Sequence, residues 1–393
     1  MPNTETTPAP VPFHFPSRMS DIALAFRGYN VTNLGRTPEL LRQPRYAPIV
    51  EDFLRRGSQV CQEVTGKRVD LVARVRAERE TSLATYHEAI ALVVASSLAQ
   101  VEILIREFNK NLSGVGLTYG FSLGEITALI AGGVLTLEDA LAVPISLAED
   151  SVALAHDVTL GVLFSRAGQL DFEAVDRLCQ EINLAGNGVI GVSAYLAPNS
   201  LLIIGQGDTL DRFAARRREI SEYRTFIRKN ESRWPPLHTP IIWQRYITNR
   251  AQLQMQQMPC RFVAPQPAVL SLVTGNVSYN GTNTRELIGR WVDQPQRLWD
   301  AVDKTLSSGI KAVVHVGPAP NIIPATFSRL RVNVETQTAK NVRMRALRGI
   351  VKRPWLQALL PRRASLLRAT EIAQVNLEDW LLQQVNVPTP AAR

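Results

Sequence analysis

The strongest constraint in this sequence is a serine placed where an apolar strand runs directly into a helix. Residues 115–119 are predicted as the strand, and the helix follows Gly120-Phe121-Ser122-Leu123-Gly124. Glycines on both sides of a serine permit a tight turn that lifts the hydroxyl out at the sheet edge, at the positive end of the helix. The backbone N–H of Leu123 would then point to where an oxyanion forms. The pattern predicts a nucleophilic Ser122, with a purely structural turn as the alternative.

A nucleophilic serine needs a base, and the chain contains five histidines. One of them, His238, lies in Trp234-Pro235-Pro236-Leu237-His238-Thr239-Pro240, a proline-stiffened loop that would hold an imidazole rigidly. The other four are explained by packing or by exposure on predicted strands and helices: His14, His87, His156 and His315. On these residues alone, His238 is as good a candidate as the other four together.

The composition is that of an ordinary enzyme with a sizeable core, with 45% hydrophobic and 20% charged residues. The three cysteines are far apart and form neither a CxxC pair nor a disulfide framework, which favours a reducing cytoplasm. The first residues lack the order of a signal peptide. The apolar run at 89–99 is too short to span a bilayer and is predicted to be a buried helix, part of a longer helix over 86–108.

The spacing of apolar residues divides the chain into four regions. Residues 157–227 follow the order strand, helix, strand, strand, helix, which favours a small split-βαβ subdomain inserted into a larger domain. The larger domain is predicted at 13–156 and 228–331, with its first strand at 11–16, two later strands at 268–273 and 311–316, and a helix at 284–307. A disordered leader is expected over 1–12 and a basic helical extension over 332–393.

The positive charge is concentrated at the end of the chain. Residues 340–393 hold ten basic and three acidic residues, whereas the rest holds 34 and 32. The first interpretation is a helix packed on the body with its basic face in water. The second is a docking surface for an acidic partner, involving Arg362 and Arg363, and the least favoured is contact with a membrane surface. No nucleic-acid partner is expected, since no recognition motif accompanies the basic run.

Several segments resemble, in the same order, the malonyl-CoA:acyl-carrier-protein transacylases and the acyltransferase domains of polyketide and fatty-acid synthases. GFSLGEITALIAGGVLTLEDAL resembles the nucleophile segment of that family, LHTP its histidine segment and VLSLVTG its S-N-V-T-G strand. SAYLAPNSLLIIG resembles a strand pair of its small subdomain, and WVDQPQRLWDAVDKTLSSGIKAVVHVGPAPNII its closing pattern. The resemblance runs from about residue 13 to 330. It implies an α/β fold, with an α/β-hydrolase-like large domain and an inserted ferredoxin-like small subdomain.

The resemblance implies a serine–histidine dyad. Ser122 would attack an acyl-CoA thioester and carry the acyl group as an ester, with His238 as its base. The acceptor would be the phosphopantetheine thiol of an acyl carrier protein, in cytoplasmic fatty-acid or polyketide biosynthesis. In this family a backbone carbonyl orients the histidine, and the region of Leu272 is expected to supply it. No metal or bound cofactor is expected, because coenzyme A and phosphopantetheine are substrates.

The sequence departs from the family pattern at several places. The F-P-G-Q-G-S-Q segment aligns with residues 15–21, which puts Arg18 at the position whose backbone N–H helps form the oxyanion hole. The residue before the nucleophile is Phe121 instead of histidine. The arginine that binds the malonyl carboxylate is replaced by Leu147.

A buried carboxylate without a partner is costly, so these departures favour a non-carboxylated acyl group. Its pocket would be apolar and lined by Phe121, Leu147 and Leu272. Arg18 is the rival, as a cation that replaces the missing arginine. The alternative function is a catalytically altered family member that acts as an acyl-thioester hydrolase or only binds a carrier protein.

Overall fold

Two β-sheets organise the protein, of which the computed structural model describes residues 15–16, 18–339 and 365–385. The larger sheet has six strands in the order β10-β9-β1-β2-β7-β8. Its strands are β1 (Ile22–Phe26), β2 (Leu117–Gly120), β7 (Val269–Ser271), β8 (Asn276–Val277), β9 (Ala312–Val316) and β10 (Ala373–Asn376).

The larger sheet is parallel except for the β7–β8 pair. Every residue of β1 and β9 is buried, as expected of parallel strands covered by helices on both faces. Phe26 at the end of β1 is in register with Gly120 of β2 and with Val316 of β9. The loops after these three strands therefore meet at one edge of the sheet, and Ser122 lies in one of them.

Twelve α-helices accompany the larger sheet in the described residues, and they enclose its core. One of them, α4 (Tyr86–Phe108), has the length and apolarity of a membrane span, but 83% of its apolar window is buried inside the protein. This burial is that of a core helix, as the sequence predicted. The others are α1 (Thr37–Arg42), α2 (Ala47–Thr65), α3 (Leu71–Arg76), α5 (Leu123–Ala131), α6 (Leu137–Ser146), α7 (Ala148–Ala155), α10 (Ile247–Gln257), α11 (Thr284–Trp291), α12 (Leu298–Ser307), α13 (Ile322–Ala339) and α14 (Leu377–Gln384).

The smaller sheet is antiparallel, with strand order β4-β5-β3-β6, and has its own hydrophobic core beneath α8 (Phe172–Leu184) and α9 (Thr209–Ala215). The five elements predicted for residues 157–227 are present. A fourth strand, β6, extends the unit to residue 229, two residues beyond the predicted boundary. Its strands are β3 (Val158–Ser165), β4 (Ile190–Ala197), β5 (Ser200–Gln206) and β6 (Thr225–Lys229).

Two predicted elements are wrong. The first strand in the described residues is β1, at Ile22–Phe26; of the strand predicted at 11–16, only Phe15 and Pro16 are described, and they are not in a strand. The predicted helix at 284–307 is two helices, α11 and α12, separated by residues 292–297. Pro295 explains the break, since proline cannot donate within a helix and disfavours helical conformation in the residue before it.

The described part of the C-terminal region belongs to the larger sheet. Strand β10 pairs in parallel with β9, and Trp380 of α14 packs edge-on against Phe15 and Phe108, with ring centroids 4.8 Å apart in each pair. Within the predicted helical extension, residues 373–376 therefore form a strand of the larger sheet, and α14 packs on the body of the protein. Residues 340–364, with Arg362 and Arg363, and the leader at 1–12 lie outside the described residues.

Candidate active site

Ser122 sits on a sharp turn between β2 and α5, with φ of +53° and ψ of −119°. A non-glycine residue rarely adopts positive φ, so the surrounding structure must hold this conformation. Gly124 makes the turn possible by its close approach to β1: a Cβ at this position would lie 2.2 Å from the carbonyl oxygen of Phe26. The turn presents the serine hydroxyl at the edge of the sheet, as the sequence predicted.

His238 is the histidine that the structure brings to this serine. Its Nε2 lies 2.7 Å from the Oγ of Ser122, and its Nδ1 lies 2.7 Å from the backbone carbonyl oxygen of Trp291. A carbonyl only accepts, so Nδ1 carries the proton and Nε2 is free to accept one from the serine. Burial lowers the pKa of His238 to about 4, although the bond to Trp291 opposes that shift. The imidazole is therefore neutral at pH 7 and able to act as a base.

The carbonyl that orients the histidine is not in the Leu272 region, contrary to the prediction. The backbone carbonyl of Leu272 accepts a hydrogen bond of 2.8 Å from the N–H of Arg297, and the backbone N–H of Leu272 donates to the carboxylate of Glu125. Trp291, at the end of α11, is the residue that faces His238, and its indole N–H also donates to the carbonyl of Ser122 at 2.9 Å. The sequence analysis missed Trp291 because it predicted one continuous helix over 284–307. In the structure, Trp291 is the last residue of α11, where the break begins.

The prediction for Arg18 is also wrong. Arg18 is exposed and precedes β1, whereas Ser122 follows β2, and the two strands run parallel. Arg18 therefore lies at the opposite ends of these strands from Ser122, roughly 16 Å away, the length of a five-residue strand. The residues after β1 are the ones near the serine: a Cβ on Gly28 would lie 2.5 Å from the carbonyl oxygen of Phe121 and 3.2 Å from the Cβ of Ser122.

The loop after β1 is held by a buried arginine. The Nε of Arg27 donates to the carbonyl of Gly28 at 2.8 Å, and its Nη2 donates to the side chain of Asn33 at the same distance. Burial lowers the pKa of Arg27 to about 10, so the guanidinium remains charged at pH 7. It satisfies backbone carbonyls that would otherwise be buried without donors, and this fixes Gly28 and Tyr29 beside the nucleophile.

A cavity of about 280 Å³ opens at Ser122 and His238, between the two sheets. Its walls are largely aromatic on the side of the larger sheet and aliphatic on the side of the smaller one. The two cations in its lining, Arg228 and Arg329, are exposed. The apolar lining residues include Tyr29, Tyr86, Phe121, Trp234, Leu237, Leu160, Val162, Leu196, Leu202 and Ile204.

Of the three residues predicted to line the acyl pocket, only Phe121 does so. Leu147 is 3% exposed and Leu272 is 0% exposed, and both belong to the core instead of the cavity wall. Leu147 joins α6 to α7, so its position in sequence relative to Ser122 did not translate into proximity to the cavity. Among the described residues, no group of three or more His, Cys, Asp or Glu side chains is arranged to hold a metal ion.

Comparison with known proteins identifies relatives of low but consistent similarity, although no protein-family model matches the chain. It is 26% identical over 202 residues to the malonyl CoA-acyl carrier protein transacylase of Haemophilus influenzae, covering 51% of this chain and 60% of that protein. The corresponding protein of Bacillus subtilis is 22% identical over 305 residues, covering 76% and 87%. The chain therefore resembles the malonyl-CoA:acyl-carrier-protein transacylase family, as its motifs predicted.

The resemblance extends to a polyketide synthase and to solved structures. The polyketide synthase GfsB of Streptomyces halstedii is 26% identical over 281 residues, which cover 70% of this chain and 4% of that protein. The transacylase from Xanthomonas oryzae superposes with a TM-score of 0.63 at 21% identity, covering 80% of this chain and 92% of that one. A malonyl transacylase solved with its type II polyketide synthase acyl carrier protein gives a TM-score of 0.58 at 20% identity, covering 78% and 91%. The transacylases and this chain share a fold.

Proposed function

We propose that this protein is an acyltransferase that moves an acyl group from acyl-CoA to the phosphopantetheine thiol of an acyl carrier protein. The observation that carries the proposal is that the Oγ of Ser122 lies 2.7 Å from the Nε2 of His238 at the mouth of an apolar cavity. Two curated relatives are named as malonyl CoA-acyl carrier protein transacylases, and one structural relative was solved with its carrier protein. Cytoplasmic fatty-acid or polyketide biosynthesis is the setting that these relatives suggest.

In the proposed reaction, the Nε2 of His238 takes the proton of Ser122 as its Oγ attacks the thioester carbon. The tetrahedral intermediate collapses as His238 gives that proton to the departing sulfur of coenzyme A, which leaves an acyl-serine and a neutral imidazole. His238 then takes the proton of the pantetheine thiol, the thiolate attacks the ester carbon, and the proton returns to the Oγ of Ser122 as the acyl group leaves it. No metal or bound cofactor enters these steps, and both thioester components are substrates.

Two backbone N–H groups are proposed for the oxyanion. Leu123 is the first residue of α5, where a backbone N–H has no acceptor within the helix. Tyr29 replaces the predicted Arg18 as the second donor, because the loop after β1 passes directly beside the serine. Both donors belong to the backbone, so they are fixed before the reaction begins.

The acyl group is proposed to be non-carboxylated. A free carboxylate in the interior of the cavity would need a cation, and the two arginines that the described lining provides are both exposed. Arg18 cannot take that role from the far edge of the sheet. Support for the α/β-hydrolase-like and ferredoxin-like labels, also part of the proposal, comes from the parallel sheet around the nucleophile turn and from the βαββαβ order of the smaller unit.

Intact-protein mass spectrometry tests the function directly. The protein is mixed with malonyl-, acetyl- and longer acyl-CoAs, beside Ser122→Ala and the control Ser193→Ala, whose serine lines the same cavity. We expect a mass increase of one non-carboxylated acyl group in the wild type and in Ser193→Ala, and none in Ser122→Ala. A malonyl adduct alone would overturn the substrate proposal. CoA release without transfer to a carrier would indicate a hydrolase, and no reaction with any donor would favour a protein that only binds carriers.

A further inference from the structure

The side chain of Gln296 touches both members of the Ser122–His238 pair. Gln296 is fully buried in the break between α11 and α12. Its Oε1 accepts a hydrogen bond of 3.0 Å from the backbone N–H of Ser122, and its Nε2 lies 3.4 Å from the Nδ1 of His238. Its backbone also joins the smaller sheet, because it donates to the carbonyl of Ser193 and accepts from the N–H of Tyr195, both at 2.9 Å.

The orientation of this carboxamide follows from its neighbours. The backbone N–H of Ser122 can only donate, so the atom that faces it must be the oxygen of Gln296. The NH₂ group consequently faces His238. The Nδ1 of His238 already carries a proton, donated to Trp291, and cannot accept from this NH₂ group. The side chain at position 296 therefore supports the serine through a hydrogen bond and adds no charge beside the imidazole.

The support matters because the backbone of Ser122 is in an unfavourable conformation, with φ of +53°. Its N–H is held by Gln296 and its carbonyl by the indole of Trp291, at 3.0 Å and 2.9 Å. The segment from 291 to 296 thus holds the peptide groups on both sides of the nucleophile, and through the carbonyl of Trp291 it also holds the base. Losing one of these contacts would let the hydroxyl move relative to His238.

The surroundings of His238 are otherwise uncharged in the part of the chain that the structure describes. Its ring neighbours are the hydroxyl of Ser122, the indole of Trp291 and the carboxamide of Gln296. The carboxylate of Asp293, in the same segment, accepts a hydrogen bond from the indole of Trp243 at 2.8 Å. Two factors act on the pKa of His238: burial lowers it, and the hydrogen bond to the Trp291 carbonyl raises it.

We propose that Gln296 is a positioning residue of the dyad: its oxygen holds Ser122 in the strained turn, and its neutrality keeps His238 an uncharged base. This inference rests on the proposed acyltransferase function. It predicts that position 296 has two separable effects. Removing the acceptor should slow the attack of the serine, and introducing a charge should change the pH at which the histidine becomes protonated.

An alkyl fluorophosphonate tests both effects without knowledge of the acyl donor. The Oγ of Ser122 forms a bond to phosphorus as the P–F bond breaks, fluoride leaves, and His238 takes the serine proton. The rate is followed by intact mass from pH 4 to 9 for Gln296→Met, Gln296→Glu and the control Gln294→Met, from the same segment. Circular dichroism checks that each variant is folded.

We expect Gln296→Met to react on the order of 10- to 100-fold more slowly at every pH, because the serine loses its acceptor. Gln296→Glu keeps an acceptor oxygen but places a carboxylate beside the imidazole, so the pH below which the rate falls should rise by about one unit or more. Above that pH, glutamate should restore the rate to within roughly 3-fold of the wild type. Gln294→Met should leave the rate unchanged.

Rescue by glutamate but not by methionine distinguishes positioning from simple packing. A wild-type rate in Gln296→Met, or an equal loss in both variants without a shift of the pH profile, would overturn the inference and leave the proposed function standing. A wild-type protein that reacts neither with the fluorophosphonate nor with any acyl-CoA would overturn the proposed function, and the inference with it.

Discussion

Ser122 and His238 form a pair whose chemistry depends on burial as much as on distance. The imidazole has no carboxylate partner among the described residues, and its Nδ1 proton is held by the carbonyl of Trp291. Burial lowers the pKa of His238 to about 4, which makes it a weaker base than free histidine. The gain is that nearly all molecules have the neutral imidazole at pH 7, so very little of the pair is inactivated by protonation.

This property predicts an unusual acid limb in the pH profile. Ser122 acylation needs neutral His238, so its rate should stay constant from pH 8 to about 5 and fall by half only near pH 4. Initial rates of CoA release, measured immediately after a pH jump, would show this. The short interval is needed because burial also lowers the pKa of His315 to about 4. Both depressed values contribute stability that is lost as the pH falls from about 6.5 toward 4. A limb near pH 6.5 would contradict the prediction.

Glu125, which follows the serine turn, is a second buried titratable group. Its carboxylate accepts hydrogen bonds from the N–H of Leu272 at 3.0 Å and from the hydroxyl of Tyr279 at 2.7 Å. Burial nevertheless raises its pKa to about 7, since the bonds only partly offset the loss of water. Because the pKa of this carboxyl group is higher in the folded than in the unfolded protein, its protonated form stabilises the folded state. Its contribution is lost as the pH rises from about 4.5 to 7.

Glu125→Gln should therefore stabilise the protein in a pH-dependent way. Glutamine has a similar shape and does not ionise: its oxygen can accept from the N–H of Leu272 while its NH₂ group donates to the oxygen of Tyr279. The variant therefore avoids burying a charge above pH 7. We expect its melting temperature to gain roughly 2 to 4 °C on the wild type at pH 8.5 compared with pH 5. Differential scanning fluorimetry would measure this, with the exposed Glu231→Gln as the control. An offset that is the same at both pH values would show that the carboxylate is ionised throughout.

At the scale of elements, the sequence predicted the nucleophile turn well and the loop after β1 poorly. The turn is a local feature, fixed by two glycines and by the change from strand to helix. The loop after β1 was misplaced because Phe15-Pro16 imitates a strand end, whereas Phe26 is followed by Arg27 in place of a proline. Its proximity to the serine depends on the parallel pairing of β1 with β2, which joins residues more than 90 positions apart. Pairing of that range leaves no local signal.

The break between α11 and α12 was missed for a related reason. Apolar residues on both sides of it keep a helical spacing, so the periodicity continues across Pro295. Tertiary contacts stabilise the break instead: the backbone of Gln296 forms two hydrogen bonds with β4, and the Nδ1–H of His238 donates to the carbonyl of Trp291. Residues that hold the dyad thus lie in a segment whose sequence predicts an ordinary helix, and only the three-dimensional structure identifies them.

The element formed by β10 and α14 is expected to be needed for stability. Trp380 is 7% exposed and contacts the rings of Phe15 and Phe108. Trp380→Ala should lower the free energy of unfolding by about 3 to 5 kcal/mol, because it removes a buried indole and leaves a cavity. Urea denaturation would measure the loss. The control is Leu184→Ala, at a side chain that is 88% exposed and should change little. A loss below about 1 kcal/mol for Trp380→Ala would mean that this segment is only loosely attached.

At the scale of the whole molecule, the cavity exists because two independent sheets face each other. The larger sheet supplies the nucleophile turn and the aromatic wall, and the smaller sheet supplies the aliphatic wall. Gln296 connects them, since its side chain holds Ser122 while its backbone pairs with β4. The sequence predicted both units, but the contact between them depends on the packing of segments far apart in the chain.

The two exposed arginines at this cavity lie on opposite sides of it, Arg228 on β6 of the smaller sheet and Arg329 on α13 of the larger unit. Exposed cations at the entrance of an apolar cavity suit the phosphates of the proposed substrates, coenzyme A thioesters and phosphopantetheine, whose phosphates would remain in water while the thioester enters. Replacing both by glutamate should therefore weaken donor binding without changing the chemical step. We expect KM for acyl-CoA to rise about 2- to 5-fold per site at low salt, with kcat unchanged.

The control for this experiment is Arg218→Glu, an exposed arginine of the smaller unit outside the cavity lining. It makes the same change in net charge as either single substitution, so it separates a local contact from general attraction. The difference in KM should shrink between 50 mM and 500 mM salt, because the screening length falls from about 14 Å to about 4 Å over that range. An equal rise in KM for Arg218→Glu would assign the effect to net charge. A fall in kcat in the Arg228 and Arg329 variants would show instead that these arginines act on the reacting pair, and that the two sheets do not divide binding and chemistry between them.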